Sequence, residues 1–304
     1  MDAEPEPLNT WTGREAFHAV DHHWGAPRFA TASSSVEVWD WARSTPVQSF
    51  TWGHDSVTAV RFNPAERDLL ASAGADRSIG LYDLRAATPI RKLVMDMRTN
   101  ALRWNPREPF NFTTASEDHQ CYTFDYRKLD RALMVHKGHV SAVMDISYSP
   151  TGREFVTGSY DRTVRIFGVR DGKSREVYHT RRMQRIFCVQ FSADARFVLS
   201  GSDDTNIRVW RARASEKLGR LAPRERAAKD YRDSLKRRYG HLPEVRRVAA
   251  QRHVPAGILK AAKRKLEADA KEKVKDARIR AHTAEATHKP RVPERKKRIV
   301  KELD

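Results

Sequence analysis

Four aspartates, Asp76, Asp118, Asp161 and Asp204, recur 42 or 43 residues apart, and two histidines, His54 and His139, each follow a glycine. Carboxylates and imidazoles are the groups from which general acid–base sites are built. Two further strings invite a chemical reading. "DHHW" at Asp21–Trp24 offers adjacent histidines to a metal, and "DGKS" at Asp171–Ser174 is like the end of a phosphate-binding loop. The spacing argues against both. Neighbouring residues on a strand point to opposite faces, so His22 and His23 chelate one ion poorly. A phosphate-binding loop needs a glycine five residues before its second one; Phe167 stands there, and Gly168 is out of register by one. No Cys-x-x-Cys, His-Glu-x-x-His or Gly-x-Ser-x-Gly string occurs. Cys121 and Cys188 have no metal-ligand spacing and make no secreted disulfide framework. The residue types point to a non-catalytic binding scaffold, with no metal and no cofactor expected.

The aspartates belong to a repeat. Strand-like segments end on Trp39, Tyr82, Phe124, Phe167 and Trp210, at steps of 43, 42, 43 and 43 residues. Six residues before the last four lies the aspartate; the first unit has Ser33 there. His54 and His139 each lie 28 residues before the aromatic of their unit, Tyr82 and Phe167. Alternation in "SVEVW", "TVRIF" and "NIRVW" fits strands with two different faces. "LLASAGADR", "EFVTGSYDR" and "FVLSGSDDT" read as a strand running into a tight turn. A period of about 40–45 residues with four strands per unit resembles the Trp-Asp repeat. The fold expected is an all-β WD-repeat β-propeller with five recognisable units in residues 1–214, followed by a basic α-helical extension over 215–304.

That repeat usually closes a ring of seven. About two N-terminal blades are therefore expected to be missing, leaving an open array with one bare blade face. "MDAEPEPLNTWTGREAF" reads as the end of a preceding blade and a linker. In this repeat the turn aspartate is usually hydrogen-bonded to the histidine of the Gly-His pair, which implies pairs Asp76–His54 and Asp161–His139. Asp118 and Asp204 take the same structural role. The tryptophan that completes the network is replaced by Tyr82 or Phe167. Phe has no donor, so at least one network is expected to be incomplete.

The net charge is +18, and +17 of it lies beyond Trp210, where 30 Lys and Arg meet 13 Asp and Glu. A near-neutral body with a strongly basic tail suggests a polyanionic partner, most simply nucleic acid. "PRERAAKDYRDSLKRRY" starts a helix with Pro223 at its first position, supported by Glu225 four residues before Lys229. Its stripe Ala228, Tyr231 and Leu235 is expected to dock on the propeller or on a partner. Further helices are expected in "LPEVRRVAAQRHVP" and from Ile258, with Ile258, Ala262, Leu266, Ala270 and Val274 at steps of four. Candidate contacts for RNA or for nuclear import are Arg237, Arg238, Arg246, Arg247 and the cluster Arg295, Lys296, Lys297 and Arg298. The acidic start resembles no signal peptide. No run approaches the ~18 apolar residues of a membrane span, so an intracellular compartment is expected.

"TWGHDSVTAVRFNP", "YTFDYR", "SAVMDISYSPTGREFV", "SREVYHTRRMQ", "NIRVWRARASEKLG" and "RRVAAQRHVP" together resemble the WD repeat and SOF domain-containing proteins, from Asp21 to about Lys301. The resemblance implies a nucleolar factor of the small-subunit processome, acting in ribosome biogenesis and ribosomal RNA processing. The partners implied are processome proteins and pre-ribosomal or small nucleolar RNA, with no membrane and no small-molecule substrate. It also implies an alternative role, substrate receptor of a cullin-RING ubiquitin ligase. Receptors of that class carry aromatic-Asp-x-Arg at a blade strand's end. Tyr82-Asp83-Leu84-Arg85 and Phe124-Asp125-Tyr126-Arg127 fit it, which would put Asp83, Arg85, Asp125 and Arg127 at the ligase adaptor.

Overall fold

The computed structural model describes residues 9–52, 56–86, 88–217, 219–283 and 292–303. Nineteen consecutive strands form five antiparallel sheets in chain order. The first blade contains β1 (Ala19–His22), β2 (Arg28–Ala32), β3 (Val36–Asp40) and β4 (Gln48–Phe50). The second contains β5 (Val57–Phe62), β6 (Leu69–Gly74), β7 (Ser78–Asp83) and β8 (Pro89–Met95). The third runs through β9 (Thr99–Trp104), β10 (Asn111–Ser116), β11 (Cys121–Asp125) and β12 (Met134–His136). The fourth runs through β13 (Val143–Tyr148), β14 (Glu154–Ser159), β15 (Val164–Gly168) and β16 (Ser174–Tyr178). The fifth has three strands, β17 (Ile186–Phe191), β18 (Phe197–Ser202) and β19 (Ile207–Arg211).

The first strands of successive blades pack on one another from β1 to β17, and no comparable packing returns from β17 to β1 among the described residues. A buried apolar cluster fills each gap between neighbouring blades. The periodic aromatics anchor this architecture: Trp39, Tyr82, Phe124 and Phe167 are all fully buried. The turn from second to third strand keeps one shape in four blades. Its aspartate is followed by a residue in the left-handed region, Arg77, His119, Arg162 or Thr205, a conformation uncommon for non-glycine residues.

The two ends of the array differ. Val36 and Val38 of β3 are buried against the second blade, whereas Ile207 and Val209 of β19, the same positions, are 77% and 63% exposed. This is the bare face expected from the repeat count. At the other end, residues 9–18 carry no strand, contrary to the preceding-blade reading. They lie against the first blade, with Trp11 edge-on to Phe29 at 5.1 Å and Phe17 edge-on to Trp39 at 6.3 Å. Residues 1–8 are outside the described ones.

Beyond β19 the chain forms α1 (Pro223–Tyr239), α2 (Pro243–Ala250) and α3 (Ala256–His282). Prolines start α1 and α2 where the missing N–H costs nothing. In α1 Glu225 pairs with Lys217 at 2.9 Å rather than with Lys229, and its carboxylate also accepts from the Ala222 N–H. No residue of α1 is buried, and Tyr231 is 65% exposed, so the expected stripe does not dock on the propeller. In α3 the half-buried residues are Ile258, Ala261, Ala262, Lys265 and, near its end, Arg280, while Leu266 and Val274 are exposed. A step of four advances the helix 40° beyond a full turn, so the expected stripe rotates off the buried face after Ala262. The chain ends in a strand that the helical reading missed. β20 (Ile299–Leu303) pairs antiparallel with β8, placing Ile299 opposite Met95 and Leu303 opposite Lys92. The second blade thereby gains a fifth strand.

Candidate binding surfaces

The turn aspartates serve the fold by different means in each blade. In the fourth blade His139 Nδ1 lies 2.9 Å from Asp161 Oδ2, and Nε2 lies 2.7 Å from Thr157 Oγ1. Asp161 Oδ1 accepts from the Thr163 N–H at 2.9 Å and from its hydroxyl at 2.6 Å. Burial opposes the Asp161 charge, but His139, Thr163 and Arg165 outweigh it and hold the carboxyl well below its usual range. The network ends at Thr157, because Phe167 packs beside His139 with no donor to offer. In the first and last blades that donor exists: Trp39 Nε1 donates to Thr31 Oγ1 and Trp210 Nε1 to Ser200 Oγ, each at 2.8 Å. In the second blade Tyr82 and Ser72 hydroxyls meet at 2.9 Å. Asp76 there pairs with Lys92 Nζ at 2.9 Å; its expected partner His54 lies outside the described residues. Asp204 is held by Arg208 and the Ser202 hydroxyl, groups that keep its carboxyl well below the ordinary range.

The third blade has no histidine at this position. The residue 28 before Phe124 is Asp96, so two carboxylates, Asp96 and Asp118, stand where a histidine and a carboxylate stand in the fourth blade. Arg298, from the segment before β20, reaches between them. Its Nη1 is 2.6 Å from Asp96 Oδ2 and its Nε is 3.8 Å from Asp118 Oδ2. Arg298 O also accepts the Asp96 N–H at 2.9 Å, and Arg295 O accepts the Ala132 N–H at 3.0 Å. Tyr122 donates its hydroxyl to Asp118; burial, then the Asp118 charge, pushes that phenol far above its ordinary pKa. Arg298 thus leaves the expected basic cluster and works inside the fold. No local signal announces this, since the partners lie about 200 residues apart in sequence, and only the missing histidine hints at it.

Arg295, Lys296 and Lys297 are exposed, as are Arg237 and Arg238 in the last turn of α1 and Arg246 and Arg247 of α2. Lys297 approaches Glu272 at 3.5 Å, and Arg246 Nε donates to Gly240 O at 3.1 Å. These residues belong to three elements, α1, α2 and the segment before β20. Among the described contacts, His179 Nε2 and His253 Nδ1 meet at 3.0 Å and tie the segment after α2 to the fourth blade.

The two aromatic-Asp-x-Arg motifs have identical geometry. Arg85 grips Asp83 with two bonds of 3.1 and 2.8 Å, and Arg127 grips Asp125 at 2.9 and 2.8 Å. The Arg85 guanidinium holds the Asp83 carboxyl below its ordinary range. Arg127 also lies over the Phe110 ring, 4.6 Å from its centroid. Both arginine side chains are more than half exposed, at the blade end where first strands turn into second ones. The "DHHW" histidines part company as expected of a strand. His23 is buried, its Nδ1 accepting from the Gly25 and Ala26 N–H groups while Nε2 donates to Arg67 O, whereas His22 packs on Trp41. "DGKS" is the turn between β15 and β16.

Comparison with known proteins matches this anatomy. The family model "Sof1-like domain" covers residues 212–299, and "WD domain, G-beta repeat" covers 44–83, 131–168 and 175–211. DDB1- and CUL4-associated factor 13 of Danio rerio is 48% identical over 299 residues, which is 98% of this chain and 67% of that protein. The Homo sapiens protein of the same name is 48% identical, over 98% of this chain and 66% of the relative. Protein SOF1 of Saccharomyces cerevisiae is 46% identical, over 96% of this chain and 59% of the relative. The chain spans about two thirds of the vertebrate relatives' length and less of the yeast one. With WD blades, a Sof1-like extension and this identity along almost its whole length, the chain belongs to the family of Protein SOF1 and DDB1- and CUL4-associated factor 13.

Proposed function

We propose that the chain is a non-catalytic scaffold of ribosome biogenesis. It acts in maturation of small-subunit ribosomal RNA in the nucleolar processome. The blades hold processome proteins while the basic extension contacts pre-ribosomal or small nucleolar RNA. The division of charge carries this reading. The body is near neutral, nearly all net positive charge follows Trp210, and α1 and α3 bury no residue. Exposed cations on helices that no core requires are suited to phosphate contacts, whose affinity is salt-dependent and sequence-tolerant. Family membership agrees with it. The test is co-sedimentation of the tagged chain with small-subunit precursors, together with its depletion. Intact small-subunit ribosomal RNA processing after depletion overturns the proposal.

A second reading, receptor of a cullin-RING ligase, is supported by the relatives' name and by the exposed pair Arg85 and Arg127. Pull-down of the ligase adaptor is expected to weaken on Arg85→Ala and Arg127→Ala substitution. Unchanged capture removes these residues from that role.

A further inference from the structure

A cleft of about 800 Å³ opens on the rim of the third to fifth blades, and six of the residues that line it are arginines. Arg107 comes from the turn between β9 and β10, Arg153 from that between β13 and β14, and Arg196 from that between β17 and β18. These are the same turn in three consecutive blades. Arg211, the last residue of β19, and Arg220, from the segment leading to α1, close the other side.

The arginines are mounted on rigid supports. Gly152 and Ala195 each adopt a positive φ, 65° and 57°, directly before Arg153 and Arg196. The carbonyls of these two arginines accept from Val169 and Ala212 at 3.0 and 2.7 Å, fixing each turn to the end of a third strand. Asn105 Nδ2 donates to Gly152 O at 3.1 Å, and a Cβ on Gly152 would meet the Arg107 Cβ at 2.4 Å. Glycine is thus required for the third and fourth blades to lock their turns together here.

The cleft's two acidic residues are already engaged. Glu154 pairs with Arg175 at 2.9 Å and Glu216 with Arg213 at 3.0 Å. Among the described residues, Arg107, Arg153, Arg196, Arg211 and Arg220 form no ion pair. Five guanidinium groups around one concavity repel each other and favour a polyanion. Guanidinium forks match phosphate oxygens; Ser149 and Thr151, whose hydroxyls bond each other at 3.0 Å, also line the cleft. Among the described residues no aromatic side chain lines the cleft, so they offer no platform on which bases could stack.

The geometry points to this cleft as a binding site for the phosphate backbone of RNA, on the propeller rim where the extension begins and apart from its helices. The site reads charge rather than base sequence. It rests on the RNA-scaffold reading proposed above.

The test measures binding of a fluorescent 20-nucleotide oligouridylate to the full chain by anisotropy, over a series of salt concentrations. Arg107→Ala/Arg153→Ala/Arg196→Ala is expected to flatten the log–log salt slope by about 2, at ~0.7 per phosphate contact. The same slope corresponds to a loss of roughly a hundredfold in affinity at 0.1 M salt. The triple Arg→Lys variant keeps the slope, because charge is retained; loss of slope there overturns the proposal. Arg237→Ala/Arg238→Ala/Arg246→Ala/Arg247→Ala is the control in the extension. If the unmodified chain binds RNA but the cleft variant shows an unchanged slope, the cleft is overturned and the scaffold reading survives. If the unmodified chain does not bind RNA even at low salt, both fall. Displacement of the RNA by polyglutamate of equal charge marks an acidic protein segment as the occupant and also overturns the proposal.

Discussion

The third and fourth blades solve one problem with opposite chemistry. Each must hold a turn aspartate against the loop that enters its first strand. The fourth blade does so with residues of its own repeat, His139, Thr157 and Thr163, all buried with Asp161. In the third, Asp96 stands at the histidine position, and a local network would bring two carboxylates together. Arg298 supplies the missing positive charge from the far end of the chain and brings β20 with it. A repeat position can therefore invert its charge if a distant segment compensates. The cost is that the third blade's network depends on how the extension docks.

The largest expected difference lies in removing the aspartates themselves. Asp161→Ala leaves a buried imidazole and two Thr163 donors without their acceptor, and is expected to cost about 3–5 kcal/mol. Asp118→Ala strips partners from Tyr122 and a half-exposed Arg298, and is expected to cost about 1–3 kcal/mol. Urea unfolding of the two variants measures the gap. Equal losses would break the contrast between a self-sufficient blade and a borrowed network.

Acid offers the next largest effect, at the seam between the same two blades. His136 of β12 has its Nε2 2.9 Å from Thr123 Oγ1 in the third blade and its Nδ1 2.7 Å from Asp171 O in the fourth. Burial lowers its pKa to about 4, below the ordinary ~6.5 of an unfolded histidine. Between those values the unfolded chain binds a proton that the folded chain does not. The contribution is complete above about pH 6.5 and is lost as pH falls toward 4, amounting to about 3 kcal/mol. His136→Gln is expected to flatten the fall of the urea midpoint across this window. An unchanged profile would show that acid sensitivity arises elsewhere.

How much of this was legible in the sequence depends on the range of each contact. The blades were, because every unit carries its own aromatic and alternating strands, four of the five add the turn aspartate, and Trp39, Tyr82, Phe124 and Phe167 occupy equivalent buried places. The bare face at Ile207 and Val209 followed from counting units. The helices were legible through Pro223 and Pro243, but their docking was not. α1 buries nothing, and the apolar stripe of α3 drifts around the axis. The packing of Trp11 on Phe29 and of Phe17 on Trp39, and the strand β20, depend on contacts that no local pattern encodes. The cleft is not legible locally for a related reason. Arg107, Arg153 and Arg196 lie in turns 43 to 46 residues apart, and only the radial stacking of blades gathers them.

Arg298 gives the smallest effect and the sharpest test of the comparison. Its contact with Asp96 is partly open to solvent, so Arg298→Ala is expected to cost only about 1 kcal/mol, read from urea unfolding. Hydrogen exchange should register the change more strongly in β20, whose amides pair with β8 only while the segment is anchored. Asp96→His rebuilds the repeat's own histidine opposite Asp118 and removes one of the two carboxylates. In that background Arg298→Ala is expected to cost less than half of its original amount. If the two substitutions add without interaction, Arg298 is an ordinary surface ion pair, and the third blade does not borrow its cation from the chain's end.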